Sequence, residues 1–170
     1  PKERQQAVAR ARELGVNYFD TAPAYGDGLS EQHLGDALRP LNASVFVGTK
    51  FSLWPDDMGD VRGAVARSLE ASLRRLGRES VDLLQLNNQI GRERRGGLAG
   101  MNEVLQEVVP AFQALRAQGK VRFLGITALG DTDALHEVIG TGTFDTAQVC
   151  YNLLNPSAVQ PIRARFPGQD

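Results

Sequence analysis

The chain has 170 residues, enough for one domain with a buried core. Apolar residues make up 42% and charged residues 23%, and 19 Lys and Arg stand against 20 Asp and Glu for a net charge of −1. That near-neutral balance gives no bulk attraction to nucleic acid or anionic lipid.

The pattern of the chain starts with a helix. Gln6–Leu14 spaces Ala7, Ala11 and Leu14 on one face, and Gly15 is the stop. Residues 16–20 form a short strand, and 21–28 a loop marked by Pro23, Gly26 and Asp27-Gly28. Ser30 reads as the N-cap of a helix running to Pro40. Residues 45–50 are a second strand. Asp60 caps a long helix with Val61, Val65, Leu69, Leu73 and Leu76 in one stripe, ended by Gly77. Residues 81–88 are a third strand. A long connection follows, Gly- and Arg-rich at first, with a short extra helix over 101–109. Pro110 suits the first position of the next helix, which carries Phe112 and Leu115 and stops at Gly119. Residues 121–127 are a strand, 131–139 a helix, 146–151 a strand, and 156–165 a last helix.

Helix and strand thus alternate, and the strands are nearly continuous apolar runs. Such strands are buried on both faces, as in parallel sheets covered by helices. Two closures satisfy this pattern, a doubly wound open sheet and a (β/α)8 TIM barrel. No Gly-x-Gly-x-x-Gly follows any strand, which weighs against a dinucleotide-binding open sheet. Polar residues instead gather where strands end, at Asp20, Lys50, Asn87, Thr127 and Gln148, as in barrel enzymes. A full barrel takes about 250 residues, so about five strands make a partial α/β barrel. Residues 1–170 read as a single domain. The chain opens on Pro1 inside a helical pattern and stops at Asp170 without a helix stop, so a segment of a longer protein is expected.

Asp20 and Lys50 close neighbouring strands, so a carboxylate and an ammonium meet at one end of the sheet. Tyr25 lies on the loop above. A cation beside a phenol favours the phenolate and suits the phenol to moving a proton to or from a carbonyl oxygen. A purely structural ion pair with a tyrosine packed beside it satisfies the same spacing.

These residues also carry a family resemblance. The run Leu14-Gly15-Val16-Asn17-Tyr18-Phe19-Asp20-Thr21-Ala22-Pro23-Ala24-Tyr25-Gly26 resembles the aldo/keto reductase motif that holds an active-site aspartate and tyrosine. Ser30 to Leu38, Val47-Gly48-Thr49-Lys50, Ser72 to Gly77, Val81 to Leu86, Gly119 to Ile126 and Gln148 to Asn155 continue it in order. The resemblance implies a (β/α)8 barrel that binds NADP, less often NAD, and moves a hydride between nicotinamide and a carbonyl or alcohol carbon. The substrate would be a small aldehyde, ketone or sugar. By position, Tyr25 is the proton donor, and Asp20 and Lys50 tune it. Gln148 and Thr127 would hold the nicotinamide carboxamide, and Asp20 would also touch the ribose.

The sequence departs from the family in two places. The family's usual histidine is Asn87 here. Its amide can donate a hydrogen bond to a carbonyl oxygen but cannot titrate. Asparagine there resembles the family's potassium-channel β subunits, and implies as an alternative a cofactor-binding regulatory or weakly active relative. The usual Ser-Asn pair is Thr127-Ala128, and Ala128 cannot hydrogen-bond a carboxamide through its side chain. The resemblance also stops before the family's last two strands, which hold the residues that choose between NADP and NAD.

The remaining signals are weaker. Trp54, after the Lys50 strand, is a candidate apolar wall for substrate or a loop anchor. Arg92, Arg94 and Arg95 suit either an acid-gripping loop or a mobile solvated one. His33 and His136 read as surface or packing residues, and no metal-ligand spacing occurs. Cys150 reads as a buried small residue in its strand. As the single cysteine it excludes an internal disulfide and fits a reducing compartment, so the cytoplasm is the expected location. No apolar run approaches the ~20 residues of a membrane helix.

Overall fold

The computed structural model describes residues 2–41 and 44–154. The expected helix over 156–165, and Asn155, lie outside these residues.

The elements in order are α1 (Lys2–Glu13), β1 (Tyr18–Asp20), α2 (Leu29–Leu38), β2 (Phe46–Phe51), α3 (Val61–Leu76), β3 (Val81–Leu86), β4 (Ile90–Gly91), β5 (Ala99–Gly100), α4 (Met101–Glu103), α5 (Val109–Ala117), β6 (Val121–Thr127), α6 (Thr132–Gly140) and β7 (Thr146–Gln148). Five strands form one sheet in the order β1-β2-β3-β6-β7, every pair parallel. Spatial order follows chain order with no reversal. A doubly wound sheet would reverse at a switch point, so the chain is a curled half-barrel.

The strands' two-residue alternation sorts the side chains. On β2, Val47, Thr49 and Phe51 face the helices, while Phe46, Gly48 and Lys50 face the barrel interior. The helix-side layer is the main core. Val65 and Leu69 of α3, Phe112 of α5, Leu84 and Leu86 of β3, and Leu124 and Ile126 of β6 are almost wholly buried. The Phe51 and Phe112 rings meet edge to face with centroids 6.2 Å apart. Each such side chain contributes about 1.5–3 kcal/mol by leaving water. The interior face is more open: Tyr18 and Phe46 are each 41% exposed.

α3 forms because its apolar stripe recurs at helical spacing and both ends are capped. Asp60 accepts from the Gly63 N–H at 2.9 Å, which holds its carboxyl below the usual carboxylate range, and Gly77 closes the helix at φ 64°. A buried ion pair locks α2 and α3 onto β2. Glu31 is fully buried and accepts from Thr49 Oγ1 and Arg75 Nε, both at 2.6 Å.

Several expectations are corrected here. Ser30 is not the N-cap of α2. The helix starts at Leu29 after Gly28 at φ 85°, and the Ser30 hydroxyl instead accepts from Thr21 Oγ1 at 2.9 Å. The left-handed Gly28 turns the chain into the helix without a side-chain cap. Leu14 lies beyond α1 and is exposed; Val8 is the residue of α1 that packs on the core.

Pro110 stands in the first turn of α5, as expected, but α5 does not start afresh there. Residues 101–117 run on through a π turn at Val104–Val108, where the Val109 N–H donates to the Val104 carbonyl. The wider turn suits a proline, which has no N–H for the regular ladder. Cys150 is exposed beyond the end of β7, because β7 pairs with β6 only through Gln148.

Two arginines of the Arg-rich connection pair with acidic side chains of this chain. β4 and β5 pair within the connection, Arg92 meets Glu137 at 3.0 Å, and Arg94 Nε donates to Glu103 Oε1 at 2.8 Å. Burial would raise the Glu103 carboxyl, but Arg94 and the Gly100 N–H outweigh it and hold the pKa below its ordinary value.

Candidate active site

The carboxyl ends of β1 and β2 put Asp20 and Lys50 on the same interior face. Lys50 is only 2% exposed, so its ammonium must find partners inside the protein. It donates to Asp20 Oδ2 at 2.6 Å and to the Thr21 carbonyl at 2.9 Å. It also lies over the Tyr25 ring, 4.9 Å from the centroid, in a cation–π contact. The ammonium therefore addresses the ring face of Tyr25, while its short hydrogen bonds go to Asp20 and Thr21. Tyr25 is 47% exposed.

Asp20 is the hub of this cluster. Its second oxygen, Oδ1, accepts from Gln85 Nε2 at 3.1 Å and from the Tyr18 hydroxyl at 3.3 Å. Burial, the Asp20 charge and that hydrogen bond together push the Tyr18 phenol up to about 12. Neither Tyr18 nor Gln85 stands out in the sequence as a candidate. The available signal was alternation: Tyr18 is two residues before Asp20, and Gln85, a polar residue in an apolar strand, two before Asn87.

Asn87 follows β3 directly, and its N–H donates to the Phe51 carbonyl at 2.8 Å, continuing the pairing with β2. Asn88 ties the loops together by exchanging side-chain hydrogen bonds with the Leu53 N–H and carbonyl, at 2.7 and 3.0 Å. Asn87 and Lys50 line one cavity of about 330 Å³, with Trp54, Ser52, Pro23 and Ser68 among its other walls. Trp54 is largely exposed, and its loop is held by the Trp54 N–H donating to Asp57 Oδ2 at 2.8 Å.

Thr127 and Gln148 form a second group across β3. They are direct register partners at the ends of β6 and β7. The Thr127 hydroxyl is buried and donates to the Leu86 carbonyl at 3.3 Å, which leaves its oxygen lone pairs as acceptors. Gln148 is exposed and offers both a donor and an acceptor. This donor set is complementary to a carboxamide, so the residues fit a nicotinamide amide, with no polar side chain contributed by Ala128.

Among the described residues no group of three His, Cys, Asp or Glu side chains is placed to hold a metal, and no helix is long and apolar enough to cross a membrane. Arg4 hydrogen-bonds the His33 ring on the outer surface, away from the strand ends.

The chain is similar to known proteins along most of its length. The profile of the Aldo/keto reductase family matches residues 1–164. The chain is 35% identical over 136 residues to the L-galactose dehydrogenase of Arabidopsis thaliana, covering 76% of this chain and 40% of that protein. It is 35% identical over 156 residues to the methylglyoxal reductase YeaE of Escherichia coli, covering 89% of this chain and 50% of that one. Among solved structures, the glycerol dehydrogenase of Gluconobacter oxydans superposes with a TM-score of 0.67 at 28% identity, over 89% of this chain and 46% of that one. The chain thus spans half the length, or less, of these relatives. The parallel half-barrel, the order of its strands and the family match over 1–164 together show that the chain belongs to the aldo/keto reductase family of oxidoreductases.

Proposed function

We propose that this chain carries the proton-transfer half of an NAD(P)-dependent carbonyl reductase site, with Tyr25 as the proton donor. The substrate class is a small aldehyde, ketone or sugar, as the names of its relatives suggest. The observation that carries the reading is the buried Lys50 ammonium, held between Asp20 and Thr21 and lying over Tyr25.

Tyr25 gives its phenolic proton to the substrate oxygen as that oxygen gains charge, or takes it back in the oxidative direction. Lys50, fixed 4.9 Å from the Tyr25 ring centroid, would offset the negative charge that develops as the proton leaves. Asp20 holds Lys50 in place. The Asn87 amide, on the wall shared with Lys50, would donate a hydrogen bond that orients the substrate oxygen. Trp54 would supply an apolar wall for the rest of the substrate. Thr127 and Gln148 would hold the carboxamide of the nicotinamide, and Asp20 its ribose. When bound, the cofactor supplies or accepts the hydride; NADP is the choice favoured by family frequency, with NAD the alternative. Residues 1–170 would act as one domain, and the lone cysteine supports a cytoplasmic location.

A second reading rests on Asn87. An amide cannot relay a proton, so the protein would hold cofactor and turn over slowly, as a regulatory relative. A single-turnover experiment separates the two. The full-length protein loaded with reduced cofactor is mixed with a reactive aldehyde. Rapid oxidation of the bound cofactor supports the enzyme, and no oxidation despite measurable binding supports the regulator.

A further inference from the structure

We propose that Tyr18 and Gln85 are positioning residues for the Asp20–Lys50 pair, seated in gaps left by two glycines of the sheet, Gly48 and Gly125. The inference rests on the reading above for its kinetic consequence, and on geometry alone for the positioning itself.

Asp20 needs both oxygens fixed if Oδ2 is to stay on Lys50. Tyr18 and Gln85 converge on Oδ1 from two different strands. Each occupies space that a side chain would otherwise fill. Gly48 is the register partner of Asp20, and a Cβ there would lie 2.5 Å from the Tyr18 hydroxyl. Gly125 is the register partner of Gln85, and a Cβ there would lie 3.0 Å from Gln85 Cγ and 2.5 Å from Thr146 Oγ1. Neither glycine has a positive φ, so the backbone does not demand glycine at these positions. At Gly48 the Tyr18 hydroxyl leaves no room for a side chain, and at Gly125 Thr146 Oγ1 and Gln85 Cγ together leave none. The two gaps and the two donors form one arrangement, which holds Asp20 Oδ1 and leaves Oδ2 to Lys50.

The test uses the full-length protein carrying Tyr18→Phe, Gln85→Met, Gly48→Ala and the pair Tyr18→Phe/Gly48→Ala. Hydrogen bonds to a charged group are worth enough that losing one long donor should lower kcat about three- to tenfold, with KM unchanged. The pair should be no worse than Gly48→Ala alone, because the phenol that the added methyl group would strike is gone. If Gly48→Ala does not fold, Tyr18→Phe and Gln85→Met still decide the question. A second readout needs no turnover. The Lys50 ammonium protons, observed by ¹⁵N-edited NMR, should exchange with water faster in Tyr18→Phe than in the parent. Unchanged kcat and unchanged exchange in both single variants would overturn the inference. A parallel Tyr25→Phe variant that keeps full carbonyl reduction would sink the functional reading instead. The exchange result would then still judge the positioning.

Discussion

Asp20 and Lys50 face each other from adjacent parallel strands with Oδ2 and Nζ 2.6 Å apart, and the lysine is far more buried than the aspartate. The asymmetry matters energetically. The ammonium depends on this one carboxylate and a single carbonyl, whereas the carboxylate has three donors. Removing Asp20 strands a buried charge; removing both charges does not.

Asp20→Asn is therefore expected to destabilise the fold by about 3–5 kcal/mol, at the scale for breaking a buried pair. Asp20→Asn/Lys50→Met should recover part of that loss. Urea unfolding followed by circular dichroism measures both. A double variant less stable than Asp20→Asn would contradict the assignment of Asp20 as the counter-ion.

Tyr18 makes a prediction at alkaline pH. Its phenol sits at about 12 in the fold against 10.0 for an ordinary tyrosine. The folded form therefore holds its proton after the unfolded form has lost it, and the Tyr18 contribution to stability is full below about pH 10. It is lost as pH rises from there toward about 12. Tyr18→Phe should flatten this alkaline decline in a series of unfolding curves. Asp20→Asn should make the Tyr18 phenolate absorbance appear at lower pH, since the Asp20 charge and hydrogen bond are two of its three causes.

Asn87→His tests what the missing imidazole would add. Histidine titrates near neutrality, so a protonated ring at this position could both orient and protonate a substrate oxygen. The carbonyl-reduction rate of the variant should rise as pH falls below about 6.5. A pH profile that is flat relative to the parent would show that histidine chemistry is not what this site lacks.

The barrel strands were legible because parallel strands covered by helices must be apolar on both faces, and residues 45–50, 81–86 and 121–127 have that composition. Asp20, Tyr25 and Lys50 were legible because strand ends and a short loop fix their neighbourhood locally. Gln85 was not, since its approach to Asp20 depends on register between strands 65 residues apart, and Tyr18, on the same strand as Asp20, read only as a strand-forming residue. The Ser30 expectation failed because a glycine turn two residues earlier, at Gly28, replaced a side-chain cap. Pro110 marked the first turn of α5, but the π turn that joins α4 to α5 was not legible, because a widened turn leaves no local signal. Cys150 misled because composition does not show that the pairing of β7 with β6 ends at Gln148.

The most direct measurement is the activity of Tyr25→Phe in the full-length protein, with cofactor binding followed in parallel by fluorescence. The ring and its contact with Lys50 are kept and only the hydroxyl is lost. Carbonyl reduction should fall at least a hundredfold, the scale of a lost general acid, with cofactor affinity within about twofold of the parent. Turnover equal to the parent's would show that the proton comes from elsewhere.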